Sequence, residues 1–173
     1  MEETTEATVT TRSVGIKFGL ILGVISIVMF LVTAVLGYNP FSTARSWIGI
    51  GISIATLVFA QKQFKDEGDG FMSYGQGFSI GFWQSLVSLV LSMAVTYVYI
   101  EFIDHAPFDV FMNEQLIKMQ EQGQPDNAIE IAQTWTKKLF WPIGIFFGLL
   151  GSLLMVAIVT IFTQKKNQQG EMV

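Results

Sequence analysis

Glu101, Asp104, His105 and Asp109 stand at positions i, i+3, i+4 and i+8. On one continuous helix this spacing would gather three carboxylates and an imidazole on a single face. That is the donor set of a divalent-cation site, or of acid–base chemistry at a membrane surface. Pro107 interrupts the run, and His105 is the only histidine in the chain. The plainer reading is a solvated acidic cluster, with no metal and no catalytic residue.

A second set is neutral. Ser88, Ser92, Thr96 and Tyr99 follow Ser85 at spacings of three or four. Such a stripe can line a polar path for a substrate. It can equally bond to neighbouring helices or to carbonyls of its own helix, at about 0.6 kcal/mol per contact. No charge accompanies it, which favours the structural role. A third set, Lys62, Lys65, Asp66, Glu67 and Asp69, could face headgroups or a docking partner; as a solvated turn it needs no further role. No GxGxxG, phosphate-loop, HExxH or GxSxG pattern occurs in its required context, so no cofactor is expected. Cysteine is absent, which excludes disulfides and thiol chemistry. The formal charge of −4 offers no footprint for nucleic acid.

The elements that must carry these residues are membrane helices. Of 173 residues 51% are hydrophobic and only 14% charged, against about 25% charged in soluble domains. The apolar residues concentrate in four blocks, predicting an all-α, four-span bundle with spans at about 15–36, 44–63, 78–103 and 140–162. The second is the shortest in strictly apolar length, from Trp47 to Ala60, and Lys17 is the ionisable residue assigned to a span interior. Residues 1–14 and 164–173 are expected to be tails, the first disordered, the second polar. The blocks are too long, and too little alternating, for barrel strands.

Four spans put both termini on one side. Arg12, Lys17, Lys62, Lys65, Lys165 and Lys166 fall there, against Arg45, Lys118, Lys137 and Lys138 opposite. The excess predicts cytoplasmic termini. The segment 107–138 would then lie outside as an amphipathic helical hairpin. Its first helix starts near Pro107 and stops at Gly123; the second starts near Pro125 and runs towards the fourth span, with a kink at Pro142.

Small residues recur every four positions: Gly15, Gly19 and Gly23; Gly77, Gly81 and Ser85; Gly144, Gly148 and Ser152. In lipid, where apolar burial does not drive helices together, such faces let backbones approach closely. They predict a tight bundle, with a face available for a partner or a second copy.

The stretch Phe64–Asp104, "FKDEGDGFMSYGQGFSIGFWQSLVSLVLSMAVTYVYIEFID", resembles the signature of the DUF4199 family. Gly70, the Ser73-Tyr74-Gly75-Gln76-Gly77-Phe78 turn and Gly81-Phe82 carry the resemblance. Lys17-Phe18-Gly19 and Ile117–Gly123 add to it, so that it covers nearly the whole chain. Where such proteins often have Asp-Pro after the third span, this chain has "IDHAPF". The resemblance implies a small four-span protein of a bacterial inner membrane, mostly of Bacteroidota. It brings no catalytic residues.

The expectation is therefore a non-enzymatic integral membrane protein that assembles with a membrane-protein partner. Gly70, Ser73, Tyr74, Gly75, Gln76 and Gly77 form its candidate docking turn. The alternative is a small carrier or flippase for a lipid-linked or other small substrate, using the stripe of Ser88, Ser92, Thr96 and Tyr99.

Overall fold

The computed structural model describes residues 9–165. The expected tails at 1–8 and 166–173 lie outside the described residues. Five helices follow in order: α1 (Thr11–Val35), α2 (Thr43–Asp66), α3 (Tyr74–Phe102), α4 (Ala106–Glu121) and α5 (Asp126–Thr163). All but α4 are long and apolar enough to cross a membrane. The chain is an all-helical, multi-pass membrane protein with a fifth, shorter helix across one end.

Several boundaries differ from those the sequence suggested. α1 begins at Thr11 rather than Gly15, because Thr10 caps it. Thr10 Oγ1 accepts from the Ser13 amide at 3.1 Å and Ser13 Oγ accepts from the Thr10 amide at 3.3 Å. The expected glycine-rich turn before α3 is also partly helix. Ser73 is the N-cap, bonded reciprocally with Gln76 (2.8 and 3.2 Å), so Tyr74, Gly75, Gln76 and Gly77 form the first turn of α3. The second hairpin helix does run straight into the fourth span, as its sequence allowed, in one 38-residue helix, α5, with Pro142 inside it. At about 1.5 Å per residue α5 is about 57 Å long, well beyond a 30 Å hydrocarbon core.

α1 and α4 end alike. Gly37 (φ +76°) and Gly123 (φ +71°) take the left-handed position, which only glycine adopts without strain. The amides of Tyr38 and Gln124 reach back to the carbonyls of Thr33 and Met119 (3.0 and 3.1 Å). These closures turn α1 back towards α2 and α4 back towards α5.

α1 lies closest to α3. A β-carbon at Gly15 would sit 2.6 Å from Trp83 Cβ; one at Gly19 would sit 2.9 Å from the Gln84 carbonyl oxygen; one at Gly23 would sit 2.8 Å from Leu91 Cδ2. The α3–α5 contact is equally close at the end where the termini lie: Gly77 faces Thr160 and Gly81 faces Val156. Further along, Gly144 and Gly148 meet only the tips of Met93 and Leu89, at 3.3 and 3.4 Å. Gly51 of α2 meets nothing within 4 Å.

The two ends of the bundle are closed differently. At the termini end, Val14, Ala60, Phe64, Met72 and Ile80 form a buried cluster. An antiparallel bridge joins Met72 to Lys165, both bonds 2.9 Å, and Lys65 Nζ donates to the Thr163 carbonyl at 3.0 Å. At the other end α4 lays Phe108 and Met112 over Phe30 and Ile100. Rings of Phe41, Tyr99, Phe111, Phe140 and Trp141 pack around them, in mostly edge-on contacts near 5–6 Å.

Candidate functional site

The acidic cluster with His105 does not assemble. α3 ends at Phe102 and α4 starts at Ala106, so Glu101 belongs to a different helix from Asp109. Asp104 Oδ1 accepts from the Ala106 amide at 2.9 Å, His105 Nδ1 faces the Ile100 carbonyl at 3.3 Å, and His105 Nε2 lies 3.7 Å from Asp109. Among the described residues no three His, Cys, Asp or Glu side chains could share an ion. Pro107 opens α4 in its first turn; the break in the run falls before it, at residues 103–105.

Three groups of the charged set at the end of α2 are engaged within the fold. Lys65 caps the carbonyl end of α5, where a cation complements the helix dipole. Asp69 accepts from the Phe71 amide at 3.0 Å, and Glu67 accepts from Gln63. Lys17 Nζ donates to Gln63 Oε1 at 3.0 Å, tying α1 to α2. In the expected docking turn, Gly70 (φ +79°) bends the chain, Ser73 and Gln76 are occupied with each other, and Gly77 is buried. Tyr74 stays 40% exposed and stacks on Phe78.

The third-span stripe lines a cavity. Its volume is about 610 Å³, and α1, α2, α3 and α5 all contribute walls. From α3 come Ser85, Ser88, Ser92 and Thr96, with Leu89 and Met93; from α5 come Phe147, Gly148, Gly151, Ser152 and Met155. α1 adds Ser26, and α2 adds Arg45, Ser46, Gly49, Ile50 and Ser53. Ser88, Ser92 and Ser152 donate to the carbonyls of Ser85, Leu89 and Leu149 (3.2, 3.3 and 2.8 Å). Back-bonding and a polar lining, set against each other in the sequence, coexist: the hydrogen serves the helix while the oxygen lines the cavity. Tyr99 lies beyond the cavity, edge-on to Phe30 at 5.3 Å.

The cavity is floored and roofed. Below it, Gln84 Nε2 donates to Thr56 Oγ1 at 3.0 Å. Deeper still, the fully buried Gln61 donates to Thr160 Oγ1 at 2.9 Å and to the Gly77 carbonyl at 3.1 Å, and accepts from Thr163. Above it, Phe30 and Phe41 belong to the aromatic cluster under α4. The opening is lateral. Ser46 and Ile50 on α2, with Phe147, Gly148 and Gly151 on α5, line the cavity and remain exposed. Among the described residues, α2–α5 hydrogen bonds occur only at Gln61 and Lys65.

Sequence reasoning missed Arg45. Counted outside the apolar core of the second span, it lies in the first turn of α2, and its side chain enters the bundle. Nη2 donates to the Ser26 carbonyl at 3.2 Å. Ser26 stands nine residues before the end of α1, about 13 Å of helix. The only hint in the sequence was a lone arginine among serines, in "FSTARSW". A smaller groove of about 380 Å³, wholly apolar, lies across the α3–α5 seam and shares Leu89 and Met93 with the cavity.

The family model for a protein of unknown function, DUF4199, matches residues 17–165. The chain belongs to the DUF4199 family. The match takes in every residue of the cavity and the closed ends of the bundle except Val14, leaving Gly15 and the first turn of α1 outside it. For this DUF4199 member, no curated protein and no solved structure gives a match. The family brings no activity, and the chemistry must be read from the cavity.

Proposed function

We propose that this protein is a non-enzymatic binding protein or carrier of the bacterial inner membrane, taking a small amphiphile into the cavity between α2 and α5. The cavity's shape supports this reading above all. It is closed towards both membrane faces and open towards the hydrocarbon, so its ligand arrives through the bilayer. Its walls suit an amphiphile: hydroxyl oxygens contributed by α1, α2, α3 and α5, with the apolar Ile50 and Phe147 at the opening. Among the described residues Arg45 is the only ionisable one lining the cavity, so the lining offers no acid–base pair for catalysis. The lysine and arginine distribution supports cytoplasmic termini, with the α4–α5 hairpin outside.

Gly151 supplies the test. A β-carbon there meets nothing within 4 Å, so the first atom of a Gly151→Phe side chain has room, and the ring is meant to occupy the cavity that Gly151 lines. Purified protein should carry a co-purifying amphiphile by native mass spectrometry, and the variant should lose it while unfolding at the same temperature. Equal ligand occupancy in both proteins would reject the reading.

Tyr74 favours a second reading, an accessory subunit or homo-oligomer docked at the start of α3. Its ring is exposed and supported by Phe78. A photoreactive residue at Tyr74, with Phe108 as control, should then crosslink to one protein in native membranes; crosslinks to lipid alone remove the motive.

A further inference from the structure

We infer that the ligand of this cavity is anionic, and that Arg45 is the counter-ion for its headgroup. The inference rests on the binding reading above and adds the charge of what is bound. A guanidinium stays protonated under any physiological condition. Arg45 meets only partial compensation for it. Nη2 has the Ser26 carbonyl, and the Phe30 ring lies 5.9 Å away. Nε is buried without a hydrogen-bond partner. Among the described residues the one ion pair is His105 with Asp109, so no carboxylate answers Arg45.

A buried donor on an unpaired charge is costly, and inside a membrane such a residue is retained for a partner or a ligand. Within this fold the partner is missing and a cavity takes its place. An anionic oxygen placed there can accept from Nη1, which has no hydrogen-bond partner among the described residues, in the charge-assisted bond arginine offers carboxylates and phosphates.

The serines narrow the class further. Ser46, Ser88, Ser92 and Ser152 each donate to a carbonyl of their own helix. What they turn to the cavity is oxygen lone pairs, which accept from hydroxyl or amide groups of a ligand. The chemistry that fits is an acidic amphiphile: a phosphate or carboxylate at Arg45, hydrogen-bond donors beside it, and an alkyl chain leaving between α2 and α5.

The experiment uses the full chain in nanodiscs of zwitterionic lipid. Two photoreactive probes share one alkyl chain; one ends in a carboxylate, the other in an alcohol. Wild-type protein should label at cavity peptides at least about tenfold more with the acid. Arg45→Gln should abolish that preference while still taking the alcohol, and Arg45→Lys should restore part of it. Equal labelling of wild type by the two probes overturns the inference, and this arm needs no variant to fold. Gly151→Phe separates the two claims: if it blocks the alcohol as well, the cavity reading stands whatever becomes of the charge. Native mass spectrometry of protein from its own membranes distinguishes the sources. An acidic phospholipid or a single-chain acid supports the inference and names its origin; a neutral or zwitterionic lipid alone overturns it.

Discussion

Gln61 and Thr160 meet side chain to side chain at 2.9 Å, ninety-nine residues apart, in a place with no access to water. The Gln61 amide nitrogen also reaches the Gly77 carbonyl, and its oxygen accepts from Thr163. One side chain thereby holds α2, α3 and α5 together. Gln61→Leu keeps the volume and removes every bond. It should cost about 1–2 kcal/mol, measured by denaturant titration in mixed micelles. A wild-type midpoint would show that the three helices are held by packing alone.

Gly19 and Gly51 make a matched pair. Gly19→Ala places a methyl group 2.9 Å from the Gln84 carbonyl oxygen, so α1 must back away from α3; Gly51→Ala enters open space. The first should destabilise by about 1–3 kcal/mol, and the second should leave stability unchanged or raise it by up to about 1 kcal/mol. The same titration, run on both variants, checks the contrast.

Ser73→Ala removes the hydroxyl that caps α3 and leaves the Gln76 amide without that partner. A loss of about 1 kcal/mol is expected, together with faster amide exchange over residues 74–77. Tyr74→Ala, at an exposed ring, should do neither.

Ser88, Ser92 and Thr96 separate ligand from fold. Ser88 and Ser92 bond only within their own helix, so the triple alanine variant should retain helicity and lose at most about 1–2 kcal/mol in all, at about 0.6 per contact. Its retained amphiphile should fall at least about fivefold by native mass spectrometry. Full retention in a folded triple variant would leave the stripe a purely structural feature.

The four spans were legible because hydropathy over twenty residues is a strong signal, and the glycine repeats of α1 and α3 marked close faces, while that of α5 did not. Partner choice was not legible. Gly15, Gly19 and Gly23 select α3, and nothing in their spacing says so. The start of α3 was obscured by Gly75 and Gly77, poor helix formers that argued for a turn, although Ser73 and Gln76 carried the opposite message. The Glu101–Asp109 spacing was legible as a pattern but assumed an unbroken helix, and the chain bends at residues 103–105. Arg45 was hidden for another reason. Hydropathy assigns a charge to one side of a boundary by its place in the chain, while this guanidinium is carried inward by a long, flexible stem.

The bridge between Met72 and Lys165 has a mechanical meaning. It ties the connection between α2 and α3 to the end of α5, and Lys65 ties the end of α2 there too, while at the other end, among the described residues, the chain entering α2 meets α5 through the rings of Phe41 and Phe140. Hydrogen bonds fix both length and direction, whereas ring contacts do not, so the seam between α2 and α5 is held rigidly at the bonded end and only by packing beside Phe41.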